Sequence, residues 1–243
     1  MRPIAPEAPA FYRILQRLLQ WVIGLLTRIE VHGIENIPAR GAFILATNHL
    51  HAFDLPVAFA YNPRQVTVFA ADKWRGKPGG WLIEAVTQTI FVARGEVDRR
   101  ALGQAIDVLK AGGVMAIAPE GTRSRTGGLL PGKTGVIYLA ARAGAPVIPT
   151  AMWGQEKVMP GWTRLRRAPV HLRFGPPIVL PPEAARFRAA ELDAYTEQLM
   201  LTLARMLPPE YRGVYANSSS SMMEHPERSS RCLAAQPRND GAS

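Results

Sequence analysis

A histidine and an aspartate five residues apart form the first pair of side chains in this sequence that could move a proton. His49 and Asp54 lie in the segment NHLHAFDLP. Five residues turn about 500° on a helix and end on opposite faces of a strand, so a contact between the pair requires a turn. An aspartate at Nδ1 fixes the imidazole tautomer, and the free Nε2 can then deprotonate a hydroxyl group. The pair therefore predicts a general base, with His51 as the alternative histidine.

A second group of polar residues follows the apolar run at 114–118 and reads PEGTRS over 119–124. Its glycine permits close backbone approach, its threonine and serine offer hydroxyls, and Arg123 can bind phosphate through two parallel hydrogen bonds. Loops at the carboxyl ends of strands are the usual ligand sites of open α/β sheets. The segment predicts an anion site, although it also fits a solvated turn with a capping glutamate.

Two further segments do not indicate a functional site when each is considered alone. IFVAR ends in Arg94, and VIPTA contains Pro149. In isolation, the first is typical of a surface arginine that ends a strand, and the second of a buried strand.

Strand-like and helical patterns alternate along the chain and could position these segments. This alternation predicts an α/β fold, with a mostly parallel or mixed sheet flanked by helices. Strands are expected at 29–32, 42–47, 66–71, 90–93, 114–118, 146–150, 170–174 and 178–180. Helices are expected at 11–29, from 54, from 81, after a cap at 98, and at 134–142 and 183–206.

The predicted N-terminal helix is apolar but interrupted by arginines. Its longest uncharged run, residues 18–27, has ten residues, whereas a membrane span needs roughly 20. Trp21 and the flanking arginines are typical of a helix lying among lipid headgroups. Docking on its own domain is the alternative. The apolar positions at helical spacing are Tyr12, Leu15, Leu19, Val22 and Leu26.

Composition limits the class of protein. The 243 residues include 29 Lys and Arg against 19 Asp and Glu, a net charge of +10, which favours a membrane surface, a phosphorylated substrate or nucleic acid as partner. The single cysteine excludes an intrachain disulfide, and no ligand cluster predicts a metal. We expect a membrane-surface helix at 1–28, one domain at 29–207 and a disordered polar tail at 208–243.

The four segments NHLHAFD, IFVAR, APEGTRS and VIPTA, in this order, resemble the motifs of the glycerolipid acyltransferase family, which includes lysophosphatidic-acid acyltransferases. The resemblance covers about residues 29–180. It implies that His49 is the general base and Asp54 its orienting partner. It also implies a role for Pro149 in the acyl-donor pocket. The residues that it assigns to the acceptor's glycerol phosphate are Arg94, Glu120, Gly121, Thr122 and Arg123, with Lys73 and Lys133 as basic neighbours.

The resemblance implies transfer of an acyl group from acyl-CoA or acyl carrier protein to the sn-2 hydroxyl of 1-acyl-glycerol 3-phosphate, giving phosphatidic acid without a cofactor. We expect a peripheral or monotopic protein on the anionic, cytoplasmic face of the cell membrane. Backbone N–H groups at the helix start after His49 are candidate donors to the oxyanion.

Two departures, Gln88 for a usual glycine and Ala118 for a usual phenylalanine, leave the acceptor open. Another lysolipid acceptor, such as an amino-acid-based one, is an alternative. A second alternative is a basic membrane-binding protein whose catalytic site is vestigial. Nucleic-acid binding is suggested by charge alone, and we do not expect it because no nucleic-acid module is recognisable.

Overall fold

A seven-stranded sheet between two layers of helices dominates the computed structural model, which describes residues 10–77, 80, 84, 87–92, 98–163 and 166–217. The strands are β1 Thr27–His32, β2 Phe43–Thr47, β3 Thr67–Ala71, β4 Gln88–Val92, β5 Val114–Ile117, β6 Val147–Trp153 and β7 Ala168–Phe174. The helices are α1 Ala10–Leu26, α2 Asp54–Tyr61, α3 Arg99–Lys110, α4 Gly135–Ala143, α5 Val158–Trp162 and α6 Ala189–Met206.

The strand order is β1-β7-β6-β2-β5-β3-β4. All the pairings from β6 to β4 are parallel, and β7 runs antiparallel to β6. The carboxyl ends of β2, β3, β4, β5 and β6 therefore meet at one edge of the sheet. β1 pairs in parallel with β7, so its carboxyl end lies at the opposite edge.

Alternate side chains of the central strand β2 enter two separate cores. Ile44 and Ala46 pack in the core that α3, α4 and α6 cover, whereas Phe43 and Leu45 pack in the core that α1 and α2 cover. A strand that is buried on both faces reads as a continuous apolar run rather than as an alternation. The predicted α/β class with a mixed sheet flanked by helices is confirmed.

Two late elements differ from the prediction. The helix expected at 183–206 begins only at Ala189, because Pro182–Arg186 form a 3₁₀ turn and Arg188 has extended backbone, with φ −90° and ψ 177°. The strand expected at 178–180 is a single antiparallel bridge between Ile178 and Val147. The short helix expected from residue 81 falls almost wholly outside the described residues.

Helix α1 is apolar on two opposite sides. Tyr12, Gln16 and Ile23 are buried against the domain, where the Gln16 amide donates to the carbonyls of Phe59 and Asn62 at 2.9 and 2.7 Å. The line of apolar residues identified in the sequence faces this docked side or lies at its margin. An exposed stripe, whose members are 54–68% exposed, runs along the other side and consists of Phe11, Ile14, Leu18, Trp21 and Leu25.

The described part of the chain contains no helix with the length and apolarity needed to cross a membrane.

Residues 208–217, which we expected to belong to a disordered tail, fold onto the domain. Tyr211 and Tyr215 are buried. The Tyr211 hydroxyl donates to Glu156 Oε1 at 2.5 Å, and its carbonyl accepts from the N–H of Leu129 at 3.0 Å. These 3₁₀ turns are too short to produce a helical periodicity, so the sequence pattern missed them. Residues 218–243 lie outside the described residues.

Candidate active site

The predicted site segments converge at the edge where the parallel strands end. The segment containing His49 follows β2, Lys73 follows β3, and the PEGTRS segment follows β5. Arg94 comes directly after β4 in the sequence but lies outside the described residues. The edge therefore gathers side chains that are up to about a third of the chain apart in sequence, as is usual for ligand sites in open α/β sheets.

His49 and Asp54 contact each other directly, with 2.7 Å between Nδ1 and Oδ2. Asp54 is the first residue of α2, and its Oδ2 also accepts from the N–H groups of Leu50 and His51 at 2.8 and 2.9 Å. The turn between β2 and α2 thus closes around this carboxylate. Because an ionised carboxylate only accepts, Nδ1 carries the proton, and Nε2 of the 38% exposed histidine side chain is left for a substrate.

The alternative histidine is placed differently. The ring of His51 accepts from the N–H of Phe53 at 3.3 Å and stacks on the ring of Phe53 with centroids 5.9 Å apart. Only its backbone N–H, and not its ring, is bonded to Asp54. The geometry of a base with an orienting carboxylate therefore belongs to His49.

Two backbone N–H groups in the turn between His49 and the start of α2 are already occupied. The N–H groups of Leu50 and His51 both donate to Asp54. The turn uses them to hold the carboxylate, so the prediction of oxyanion donors at the helix start stays a prediction.

Glu120 faces inward rather than towards the open edge. It is 1% exposed, and its two oxygens accept from the N–H groups of His49 and Leu130 at 2.8 and 2.9 Å. Burial raises the pKa of the Glu120 carboxyl above its ordinary value, and these two backbone donors partly oppose the rise. The adjacent Ser124 N–H donates to the His49 carbonyl at 2.8 Å. Glu120 therefore braces the His49 main chain, a position that differs from the acceptor contact implied by the resemblance.

The rest of the loop is exposed and basic. Gly121, Thr122 and Arg123 are all exposed. Gly121 has a φ of +68°, a conformation that favours glycine, and a Cβ there would lie 3.0 Å from Lys133 Nζ, so the lysine side chain lies against the loop. The Lys133 N–H donates to the carbonyl of Pro119 at 2.7 Å. Two cationic side chains are thus attached to the loop that braces His49.

The two remaining predicted residues make different contacts. Lys73 is exposed, with Nζ 5.4 Å from the ring centroid of Trp74. Pro149 is buried within β6, opposite Ala46 of β2. It contributes to the core of the sheet beneath the site and not to its surface.

Two residues that the sequence analysis did not assign to the site hold β2 and α2 to β6. The amide of Asn48 donates to the Met152 carbonyl at 2.7 Å and accepts from the Met152 N–H at 2.8 Å. The fully buried Gln155 donates from Nε2 to Asp54 Oδ1 at 2.7 Å. The available signal for Gln155 was a polar residue two positions after an apolar run, at the edge where the parallel strands end. Among the described residues, no three His, Cys, Asp or Glu side chains are grouped to hold a metal ion.

Residues 28–153 match the family model described as Acyltransferase. The chain belongs to the acyltransferase family. The matched range contains His49, Asp54, Glu120 and Arg123 and ends two residues before Gln155.

The chain is also similar in sequence to individual acyltransferases. The chain is 32% identical over 136 residues to the 1-acyl-sn-glycerol-3-phosphate acyltransferase of Borreliella burgdorferi, an alignment that covers 55% of this chain and 53% of the relative. It is 26% identical over 217 residues to the alpha enzyme of that name from Bos taurus, covering 83% and 70%. The chain thus spans about half the length of the bacterial relative.

The fold also matches a solved acyltransferase. The crystal structure of the 1-acyl-sn-glycerophosphate (LPA) acyltransferase PlsC from Thermotoga maritima superposes with a TM-score of 0.61 at 29% identity, covering 77% of this chain and 76% of that one. The single α/β domain is therefore the acyltransferase fold.

Proposed function

We propose that this protein transfers a fatty acyl group from a thioester donor to the sn-2 hydroxyl of 1-acyl-glycerol 3-phosphate. The observation that carries the proposal is the His49–Asp54 pair, 2.7 Å apart at the carboxyl edge of the sheet and next to an exposed basic loop. The names of the relatives support the same acceptor.

In the proposed reaction, His49 Nε2 takes the proton of the acceptor hydroxyl as its oxygen attacks the thioester carbonyl. Asp54 stabilises the imidazolium that forms, which is the logic of a serine hydrolase with the substrate's alcohol in place of serine. The tetrahedral intermediate then expels the thiolate, which receives the proton from His49. The products are phosphatidic acid and a free thiol, and His49 returns to its starting state.

The acceptor phosphate binds at the basic loop in this proposal. Arg123 and Lys133 are exposed there, and the sequence adds Arg94 from the end of β4. Binding a remote phosphate places the hydroxyl beside Nε2 and so lowers the entropic cost of the reaction. Gly121 and Thr122 belong to the same loop, whereas Glu120 acts by bracing His49.

We also propose that α1 rests on an anionic membrane surface at the cytoplasmic face, where the acceptor resides. Its exposed stripe is apolar on the side opposite the docked residues, and Arg13 and Arg17 are exposed on the same helix. The neighbouring α5 adds the exposed Met159 and Trp162. Apolar burial and electrostatic attraction to anionic lipid both favour such a helix lying in the interface.

A thiol-release assay with purified full-length protein tests the activity. Acyl-CoA and acyl carrier protein are each supplied as donor, with 1-acyl-glycerol 3-phosphate, an amino-acid-based lysolipid or lysophosphatidylcholine as acceptor. We expect thiol release that depends on acceptor and is fastest with 1-acyl-glycerol 3-phosphate. Faster release with another lysolipid would reassign the acceptor, and release without any acceptor would indicate a thioesterase instead.

A further inference from the structure

We propose that Gln155 is a positioning residue for the catalytic pair: it fixes the Asp54 carboxylate so that His49 keeps its proton on Nδ1. The inference rests on the proposed function of the pair. It starts from the 2.7 Å hydrogen bond between Gln155 Nε2 and Asp54 Oδ1, which is made between two buried side chains 101 residues apart in sequence.

The orientation of the Gln155 amide is set by Asp54. A carboxylate oxygen only accepts hydrogen bonds, so the amide must present its NH₂ group, because the reverse orientation would place two acceptors in contact. The amide oxygen Oε1 is then buried without a hydrogen-bond partner among the described residues. Leaving a buried acceptor unpaired destabilises the fold. An apolar side chain of similar size would avoid that cost. The NH₂ group also lies 3.5 Å from the Met152 carbonyl, a much longer contact than the 2.7 Å bond to Asp54, so the bond to Asp54 explains the amide better than packing does.

The two oxygens of Asp54 have separate partners. Oδ2 accepts from His49 Nδ1 and from the N–H groups of Leu50 and His51, whereas Oδ1 accepts from Gln155. These donors together stop the carboxylate from rotating about its Cβ–Cγ bond. Without Gln155, Oδ1 loses this donor while still buried, and rotation of the carboxylate would compete with the bond to His49.

Gln155 is preceded by a turn that requires glycine. Gly154 follows β6 with a φ of +88°, and a Cβ there would lie 2.2 Å from the carbonyl oxygen of Pro169. Just before this turn, Asn48 ties Met152 of β6 to the start of the His49 segment through two hydrogen bonds. These contacts fix the end of β6 next to the turn between β2 and α2, and they place Gln155 within hydrogen-bond distance of Asp54.

The test compares Gln155→Met, which keeps the side-chain length and removes the amide, with Asn36→Leu. Asn36 is a suitable control because its half-buried amide donates to the Phe174 carbonyl at 3.0 Å, and it follows β1 at the opposite edge of the sheet. Both variants are assayed for kcat, acceptor KM and Tm with detergent-dispersed acceptor. We expect Gln155→Met to lower kcat about tenfold or more with little change in KM, as for loss of a charged hydrogen bond, and Asn36→Leu to leave kcat unchanged.

A spectroscopic readout separates positioning from a purely structural role. In ¹⁵N-histidine-labelled protein without substrate, the ring nitrogens of His49 report which of them carries the proton. We expect the Nδ1–H form in the wild type and a mixture of the two tautomers in Gln155→Met. Gln155→Asn, whose amide reaches about 1.5 Å less far, should behave in the same way and serves if the methionine variant does not fold.

A wild-type kcat together with a pure Nδ1–H signature in a folded Gln155 variant would overturn the inference, even if Tm fell. His49→Ala, assayed in parallel, distinguishes this failure from a failure of the proposed function. An inactive His49→Ala beside a fully active Gln155→Met contradicts only the role of Gln155. An active His49→Ala contradicts the catalytic pair itself.

Discussion

His49 is held at its ring, at its backbone N–H and at its backbone carbonyl. Asp54 binds the ring at Nδ1, Glu120 accepts from the N–H, and Ser124 donates to the carbonyl. The PEGTRS loop therefore contributes to the candidate site by fixing the histidine main chain, in addition to presenting cations. Fixing a base within a few tenths of an ångström of its productive position is a recognised source of rate enhancement.

This bracing predicts the effect of Glu120→Gln. The amide replaces one of two accepting oxygens by an NH₂ group, so the N–H of either His49 or Leu130 would face another donor. We expect kcat to fall by about 10-fold or more, given roughly 1.5–3 kcal/mol for a hydrogen bond to a charged group, while the acceptor KM changes little. Steady-state kinetics with varied acceptor measures both. A raised KM with unchanged kcat would instead indicate direct acceptor binding by Glu120.

Arg123 is predicted to act on acceptor use. Its side chain is exposed on the loop that braces His49, and a charged hydrogen bond to phosphate contributes roughly 1.5–3 kcal/mol, or about 10–150-fold in affinity. Arg123→Ala should raise the acceptor KM by a factor in this range and leave the donor KM nearly unchanged.

Arg142→Ala is the matched control for Arg123→Ala. Arg142 is an exposed arginine near the end of α4, which leads to the amino end of β6 at the opposite edge of the sheet. Equal effects of the two substitutions, or equal changes in donor and acceptor KM, would contradict a dedicated phosphate contact at Arg123.

At the scale of elements, α1 docks on its own domain and still exposes a second apolar side, so the two interpretations of its sequence do not exclude each other. Tyr12, Gln16 and Ile23 dock it on the domain, and the exposed stripe leaves its other side free. Deleting the helix would therefore uncover the core, so substitutions confined to the stripe are the better test of membrane binding.

The double variant Ile14→Ser/Leu18→Ser should lose affinity for anionic vesicles. Both side chains are more than half exposed, and burial of each contributes up to about 1.5–3 kcal/mol. We expect at least a tenfold loss in vesicle co-sedimentation with an unchanged Tm. Ile23→Ser, on the docked face, should lower Tm instead. Unchanged sedimentation of a folded double variant would refute the membrane role of the stripe.

Elements with a strong local signal were predictable from the sequence. The apolar run at 42–47 matched the central strand, and the expected cap at Asp98 accepts from the N–H of Ala101 at 3.0 Å. The need for a turn between His49 and Asp54 followed from helix and strand geometry alone. The contact of Gln155 with Asp54 was not predictable, because it joins residues 101 positions apart and no local pattern encodes which distant residue will meet Asp54. The inward position of Glu120 escaped prediction for the same reason.

At the scale of the whole molecule, the C-terminal turns close the core that lies below the PEGTRS loop. Tyr211 is bonded to Leu129 and to Glu156, and the Tyr215 hydroxyl accepts from the N–H of Gly132 at 3.2 Å. These contacts reach both the loop that contains Arg123 and the segment that follows Gln155. The last described turns thus support the two loops on which the site depends.

Ending the chain after Leu207 should therefore destabilise the protein. Two buried tyrosines would be lost, and truncation of one large buried aromatic residue typically costs about 3–5 kcal/mol. We expect a fall in Tm of several degrees or failure to fold, whereas a chain ending after Asn217 keeps these contacts and serves as the control. The measurement is the Tm of both shortened proteins by thermal unfolding. Equal Tm values would show that residues 208–217 contribute nothing to the fold.

The most direct measurement of the central claim is acyl transfer by His49→Ala compared with His51→Ala. Loss of a general base costs about 10²–10⁴-fold in rate, and only His49 has its ring bonded to the buried Asp54. In the thiol-release assay with 1-acyl-glycerol 3-phosphate, we predict that His49→Ala loses activity by this factor or more, while His51→Ala retains most of it and both proteins keep the wild-type Tm. A folded His49→Ala with near-native turnover, or an inactive His51→Ala beside it, would contradict the account.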